Sequence, residues 1–328
     1  MKRILCTGDS HTWGEGAAGL AEEFDPPMVA GDLRLTRFCS GGYVNRLRHK
    51  INQYTGSYAK EWTAKEISGL PGASLSAPWA EVGEEAVFLL FSGALIRMEF
   101  CAQSSPSVVE VSIDGVSSGL MDLQSQVKND YRLLTFHLEE GEHRLSLRAC
   151  RGKVFLYRIE SYGGSCAVIN SGVGSSPSLW YKERFWESHV ASVNPDIVLM
   201  EAHSINDWLT GISLDNCYRN LMELIEGFRS LGSSVILMTV SPILGEQRLM
   251  SMITEYGDYV DMSRRAAMDA KIPLCDANAI MTECIRGLPE GKASSLLFYN
   301  GWHVNDRGHA LYAELLAQTL LNGGYLDQ

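Results

Sequence analysis

Met1-Lys2-Arg3-Ile4-Leu5-Cys6-Thr7 runs straight into Gly8-Asp9-Ser10-His11-Thr12-Trp13-Gly14, and how this opening is read decides the fold. The first run is a short strand entering a turn. It puts Ser10 at the C-terminal end of a strand, the end at which open α/β sheets bind ligands. A Gly-Asp-Ser triplet alone arises easily by chance. Three later blocks, in a fixed order, give it weight.

The chain has 328 residues, 45% of them hydrophobic and 20% charged, the composition of an ordinary globular protein. Its net charge of −11 comes with no basic run, which argues against nucleic acid or an anionic membrane as partner. The eight cysteines (Cys6, Cys39, Cys101, Cys150, Cys166, Cys217, Cys275, Cys284) form no Cys-x-x-Cys pair and no cluster with histidine at metal spacing. They are expected to be reduced structural thiols, and neither a metal nor an organic cofactor is implied. Ile4-Leu5-Cys6 is too short for the apolar region of a signal peptide, and no run approaches the ~20 apolar residues of a membrane span. A cytoplasmic protein is the expectation.

Two textures divide the chain. Residues 1–56 hold the opening strand, a polar loop with Pro26-Pro27 and an amphipathic stretch from Tyr43 to Ile51. Across 57–164 short alternating runs dominate, among them Val87–Phe91, Leu95–Phe100, Val108–Ile113, Arg132–Leu138, His143–Arg148 and Val154–Ile159. Turn signals at Asp114-Gly115, Glu140-Gly141 and Arg151-Gly152 separate them, a pattern that predicts an antiparallel sandwich. From 165 the strand–helix alternation returns. Strands are expected at Val168-Ile169-Asn170, 196–200 and 235–240, and helices over Cys217–Ser230, about 250–270 and Val304–Leu321. The expected fold is therefore α/β: a three-layer α/β/α parallel-sheet domain from 1–56 and 165–328, carrying 57–164 as an inserted jelly-roll-like β-sandwich.

Four blocks in this order resemble the SGNH/GDSL hydrolases, a superfamily of α/β esterases and acyl hydrolases. They are Gly8-Asp9-Ser10, Asn170-Ser171-Gly172-Val173-Gly174-Ser175, Ser204-Ile205-Asn206-Asp207 and Asn300-Gly301-Trp302-His303-Val304-Asn305. The resemblance covers everything outside 57–164. It implies Ser10 as nucleophile, His303 as its base, and an oxyanion hole from the Ser10 N–H, a backbone N–H of Gly174 or Ser175, and the Asn206 amide. A serine hydroxyl needs such a base. Loss of one oxyanion donor costs roughly 3–4 kcal/mol of transition-state stabilisation.

Three positions depart from the family pattern. Ser175 and Ser204 stand where the family has glycines. Asn300 stands where it has the aspartate that orients the histidine. An amide oxygen can accept the His303 Nδ1 hydrogen and hold the useful tautomer, though without a charge. An amide NH₂ facing the ring would select the wrong tautomer, a fault worth about four decades of turnover in serine proteases. A working dyad with a neutral orienter, an introduced substitution and a weakened protein are all compatible with Asn300.

Other residues have plainer readings. Asp9 anchors the turn and Asp207 braces a helix. His11, His137, His143, His189 and His309 are expected as surface or internally satisfied groups. His203 stands three residues before Asn206, in position to line a pocket or orient a neighbour. Trp13, Trp208 and Trp302 offer a stacking surface for a sugar, or simply core. The expected activity is hydrolysis of a small acyl ester, acetyl first, on a carbohydrate. The inserted domain, resembling the accessory domains of some carbohydrate esterases, would frame the sugar. The partner is a small-molecule or oligosaccharide ester, and a sandwich edge strand leaves room for a homo-oligomer. Acyl transfer to another alcohol would use the same residues, and a glycan-binding protein with a decayed site is the non-enzymatic alternative. Loops 15–40 and 241–250 are expected to shape the pocket.

Overall fold

The computed structural model describes residues 1–17, 41–76, 79–126, 131–244 and 255–327. Cys39, Pro26-Pro27 and most of the two expected pocket loops lie outside them. Among the described residues the chain divides into two compact units: Tyr54–Ala167 with Met1, and 2–17, 41–53 and 168–327. The second unit opens with β1 (Lys2–Gly8), buried from Ile4 onward, then the one-turn helix α1 (Ser10–Trp13) and α2 (Tyr43–Thr55).

The first unit is an antiparallel sheet. Its elements are β2 (Tyr58–Thr63), α3 (Ala64–Ser68), β3 (Ala73–Ser76), β4 (Trp79–Val82), β5 (Val87–Cys101), β6 (Val108–Ile113), β7 (Val116–Asp122), β8 (Tyr131–Arg151) and β9 (Val154–Gly163). Eight described strands curl over one core that includes Trp62, Val82, Phe91, Met98, Phe100 and Leu147. Asp114-Gly115 makes the expected two-residue hairpin, both residues at positive φ (53° and 79°). Glu140-Gly141 makes no turn. Gly141 pairs with Gly93 in mid-ladder, and a register shift between Gly93 and Leu95 bends the long β5–β8 pair there. Glycine inside a strand marks a bulge as readily as a turn. Four charged residues of this sheet, Arg97, Glu99, Arg158 and Glu160, are buried, with Arg158 Nε donating to Glu99 at 2.8 Å.

The α/β unit continues through β10 (Cys166–Gly172), α4 (Ser178–Trp180) with a π-helical continuation Tyr181–Ala191, and β11 (Ile197–Glu201). Then come α5 (Ser204–Leu209), α6 (Leu214–Ser230), β12 (Ser234–Met238), α7 (Tyr256–Ala270), β13 (Leu274–Cys275), α8 (Ala277–Ile285), α9 (Glu290–Leu297) and α10 (Asp306–Asn322). The helix expected from Cys217 starts three residues earlier because Ser213 caps it, accepting the Asn216 N–H. The closing helix starts later than expected because Asn305 accepts the Arg307 and Gly308 N–H groups, leaving Val304 in a β-bridge to Phe298. The start of the helix expected at 250 lies outside the described residues.

The parallel sheet runs β10-β1-β11-β12-β13. Numbered within the unit that is the order 2-1-3-4-5, doubly wound, with its switch point between β1 and β11. Crossovers leave those two strands in opposite directions and open a crevice at their C-terminal ends, where such folds bind ligands. Ser10 follows β1 there, and Asn206 follows β11. β11 itself is an unbroken apolar run, Ile197-Val198-Leu199-Met200, ended by Glu201, and all five residues are buried. No helix among the described residues is long and apolar enough to cross a membrane.

Candidate active site

The Ser10 turn is built by its neighbours. Asp9 caps α1 by accepting the His11 N–H at 3.0 Å, and Gly14 closes it in a left-handed conformation (φ 110°). Gly8 has no room for a side chain, since a Cβ there would lie 2.3 Å from Glu201 Oε2. Ser10 Oγ ends 2.8 Å from His303 Nε2, the expected pairing across 293 residues.

His303 is buried between that turn and Asn300. Burial, reinforced by the nearby His11, pushes its pKa down to about 3, so the ring is neutral and carries one proton. Asn300 decides which nitrogen holds it. Its Oδ1 accepts the backbone N–H groups of Trp302 (3.0 Å) and His303 (2.7 Å). Its Nδ2 therefore faces His303 Nδ1 at 3.0 Å and donates to it. With Nδ1 accepting, the proton sits on Nε2 and points at Ser10 Oγ. That is the tautomer opposite to the one a general base needs. The Glu15 carboxylate stands 3.5 Å from the same Nε2, its pKa raised by burial.

The second block approaches from β10. Asn170 accepts the Gly172 N–H at 2.9 Å, and the Val173 N–H donates to the Gly8 carbonyl at 3.0 Å. Gly174 and Ser175 are exposed beyond it, and Ser175 takes positive φ (56°), a conformation natural to glycine. Asn206 reaches the site from α5, its Nδ2 donating to Asp9 Oδ2 at 2.6 Å, which leaves the second amide hydrogen for a ligand. Asp207 accepts the Ser178 N–H at 2.8 Å and so ties α5 to α4.

The aromatic and histidine candidates fall unevenly. Trp13 and Trp208 are 8% and 4% exposed and pack as core, and only Trp302 is partly open. His203 is fully buried at positive φ (53°), its Nδ1 donating to the Ser176 carbonyl at 2.9 Å. It ties the second block to the third and does not line an open pocket. His11, His189 and His309 are internally bonded.

Glu201 was missed in the sequence, although a carboxylate ending a buried apolar strand is a signal. It accepts the Asp9 N–H (3.2 Å), the Thr12 N–H (3.0 Å) and the Thr12 hydroxyl, and that hydroxyl also meets Tyr43 OH at 2.7 Å. Burial and the adjacent Asp9 push the Glu201 pKa up to about 7. Asp9 Oδ1 and Glu201 Oε1 both face His11 Nδ1, at 3.0 and 3.5 Å. Asp9, His11 and Glu201 are the candidate cation-holding group among the described residues, with one ligand-type atom each within 4.8 Å of the others. A proton on His11 Nδ1 fills the same space, and no cation is assigned to it.

Comparison with known proteins gives the fold. No family model matches the chain, and no curated protein matches it. Among solved structures, a peptidoglycan O-acetylesterase aligns over 98% of this chain and 91% of its own, with TM-score 0.55 and 13% identity. The Bacillus subtilis protein YxiM aligns over 81% and 88%, with TM-score 0.47 and 13% identity. An acetylxylan esterase from Geobacillus stearothermophilus aligns over 47% and 72%, with TM-score 0.39 and 21% identity. The chain shares the fold of that peptidoglycan O-acetylesterase, and it holds a parallel sheet and a separate antiparallel sheet.

Proposed function

We propose that this protein is a serine ester hydrolase acting on a small acyl ester, acetyl on a carbohydrate, with Ser10 as nucleophile and His303 as its base. The observation that carries this is the 2.8 Å contact between Ser10 Oγ and His303 Nε2 at the switch point, beside the Asn206 amide. From the tautomer with the ring proton on Nδ1, Ser10 Oγ bonds to the acyl carbon as its proton passes to Nε2, and that same proton leaves with the sugar alcohol. Water then repeats the exchange on the acyl-enzyme and frees the acid. The Ser10 and Gly174 or Ser175 N–H groups and Asn206 hold the oxyanion. The O-acetylesterase fold match agrees with this chemistry without fixing the substrate, and the antiparallel unit is read as an accessory domain.

Asn300 supports a second reading, a protein whose turnover is throttled. Proton transfer from Ser10 needs Nε2 unprotonated, whereas the Asn300 amide stabilises the Nε2–H form. The test is p-nitrophenyl acetate turnover by the wild type and Ser10→Ala. Loss of turnover in Ser10→Ala supports the esterase, and equal rates in the two proteins sink it.

A further inference from the structure

We propose that His11 is a positioning residue for the Ser10–His303 pair, a double hydrogen-bond donor held between the Asp9 and Glu201 carboxylates that clamps the Trp302 carbonyl and so sets the His303 ring. The inference rests on the esterase reading for its kinetic consequence but not for its geometry.

His11 directly follows the nucleophile and is completely buried. Its Nε2 lies 2.9 Å from the Trp302 carbonyl oxygen, which can only accept, so Nε2 carries a hydrogen. Its Nδ1 lies 3.0 Å from Asp9 Oδ1, with Glu201 Oε1 behind at 3.5 Å, and the Asp9 carboxylate, whose pKa is lowered despite its burial, only accepts. Both nitrogens therefore donate, and the ring is an imidazolium. Turning the ring over would set carbon against all three oxygens.

The contacts of this cation reach every part of the site. Asp9 uses its other oxygen on Asn206 Nδ2, the oxyanion donor. Glu201 uses its other oxygen on the Asp9 and Thr12 N–H groups, which shape the nucleophile turn. Trp302 is the residue before His303, so the clamp at its carbonyl fixes the ring that meets Ser10. Ser241 Oγ donates to the same carbonyl at 3.1 Å from the β12 side. The His11 and His303 ring centres are 5.1 Å apart, close enough for the His11 charge to oppose a second proton on His303. The other groups facing His11 are Glu15, His309 and the edge-on Tyr312 ring at 6.5 Å.

The test uses the full chain, with His11→Gln and the isosteric Glu201→Gln as variants. Folding is checked by thermal melting. For folded His11→Gln the expected results are a kcat about a hundredfold lower on p-nitrophenyl acetate, a KM within about twofold, and a His303 nitrogen-15 titration about one pH unit or more above the wild type. If His11→Gln does not fold, Glu201→Gln carries the test. In it His11 loses its second proton at least about one pH unit lower than in the wild type, and kcat falls with that proton. A purely structural role lowers the melting temperature without moving either titration.

Three results overturn the proposal. One is a wild-type His11 with a single proton at pH 7. Another is a folded variant with unchanged kcat and titrations. The third is a divalent cation bound one per chain at this group by elemental analysis. If Ser10→Ala and wild type turn over equally, the esterase reading fails instead, and the titrations still decide the clamp.

Discussion

Asn300 turns its NH₂ group, not its oxygen, toward His303 Nδ1, across 3.0 Å. The orientation is not free. Rotating the amide would set NH₂ against the Trp302 and His303 N–H groups, which now donate to Oδ1 at 3.0 and 2.7 Å, and two backbone donors would lose their acceptor. An aspartate resolves the conflict, since one oxygen keeps both N–H groups and the other accepts the Nδ1 proton. Asn300→Asp is therefore expected to raise kcat/KM on p-nitrophenyl acetate by about a hundred- to ten-thousand-fold. An unchanged rate in a folded variant means that the tautomer does not limit turnover.

Gly172 is pressed against the nucleophile turn. A Cβ at that position would lie 2.3 Å from the Trp13 backbone nitrogen and 2.6 Å from the Thr12 carbonyl carbon. Backbone cannot swing aside as a side-chain tip can, so Gly172→Ala must shift α1 or β10. The expected loss is about 1–3 kcal/mol of stability by denaturant unfolding, with kcat reduced more than KM because Ser10 moves with α1. A variant as stable and active as wild type would show that the turn has slack.

Ser175 offers the opposite change. Its φ of 56° places an L-residue where a Cβ crowds the following carbonyl. Ser175→Gly relieves about 1 kcal/mol of that strain, partly offset by the greater freedom glycine has in the unfolded chain. The melting temperature should hold or rise slightly, and activity should persist because the oxyanion donor proposed for Gly174 or Ser175 is a backbone N–H, which glycine also supplies. Ser175→Val, β-branched at the same φ, should lose both stability and rate.

Much of this site is legible as sequence because its parts are local. The Gly8-Asp9-Ser10 turn, the Asn170 loop and the Asn206 helix each follow a strand whose apolar run is visible, and the topology only has to bring the strand ends together. What escaped depends on contacts across the fold. Glu201 falls just past the strand expected at 196–200, and His11 reads as a spare histidine, until β1 and β11 lie side by side and the two face each other. Trp13 and Trp208 have the same composition signal whether they stack on a sugar or fill the core, and burial alone separates the two. The Gly141 misreading has a different cause: a glycine inside a 21-residue strand looks like a turn unless its partner Gly93 is known. The Asn300 orientation was decidable in principle, because the N–H groups that fix it belong to its own turn.

His309 predicts how the fold responds to acid. It is buried on α10, with Nδ1 accepting the Tyr43 N–H at 3.2 Å and Nε2 donating to the Glu15 carbonyl at 2.9 Å, so it is committed to one neutral tautomer. Burial, with His11 and Arg46 adding repulsion, pushes its pKa down to about 3. In the unfolded chain it takes up a proton near the usual histidine value of about 6.5. Between those values the unfolded state binds the extra proton, so stability is present above about pH 6.5 and is lost as pH falls toward 3. The slope is up to about 1.4 kcal/mol per pH unit for each such group, and His303 adds a second. Glu201, whose folded pKa is raised to about 7, works against this between pH 7 and its unfolded value near 4.5. Comparing wild type with His309→Gln cancels the Glu201 contribution. The variant should be less stable at pH 7.5, yet its urea midpoint should fall less steeply between pH 6 and 4, by about one proton's worth of slope. Parallel pH dependences for the two proteins would mean that His309 already shares its proton with the fold.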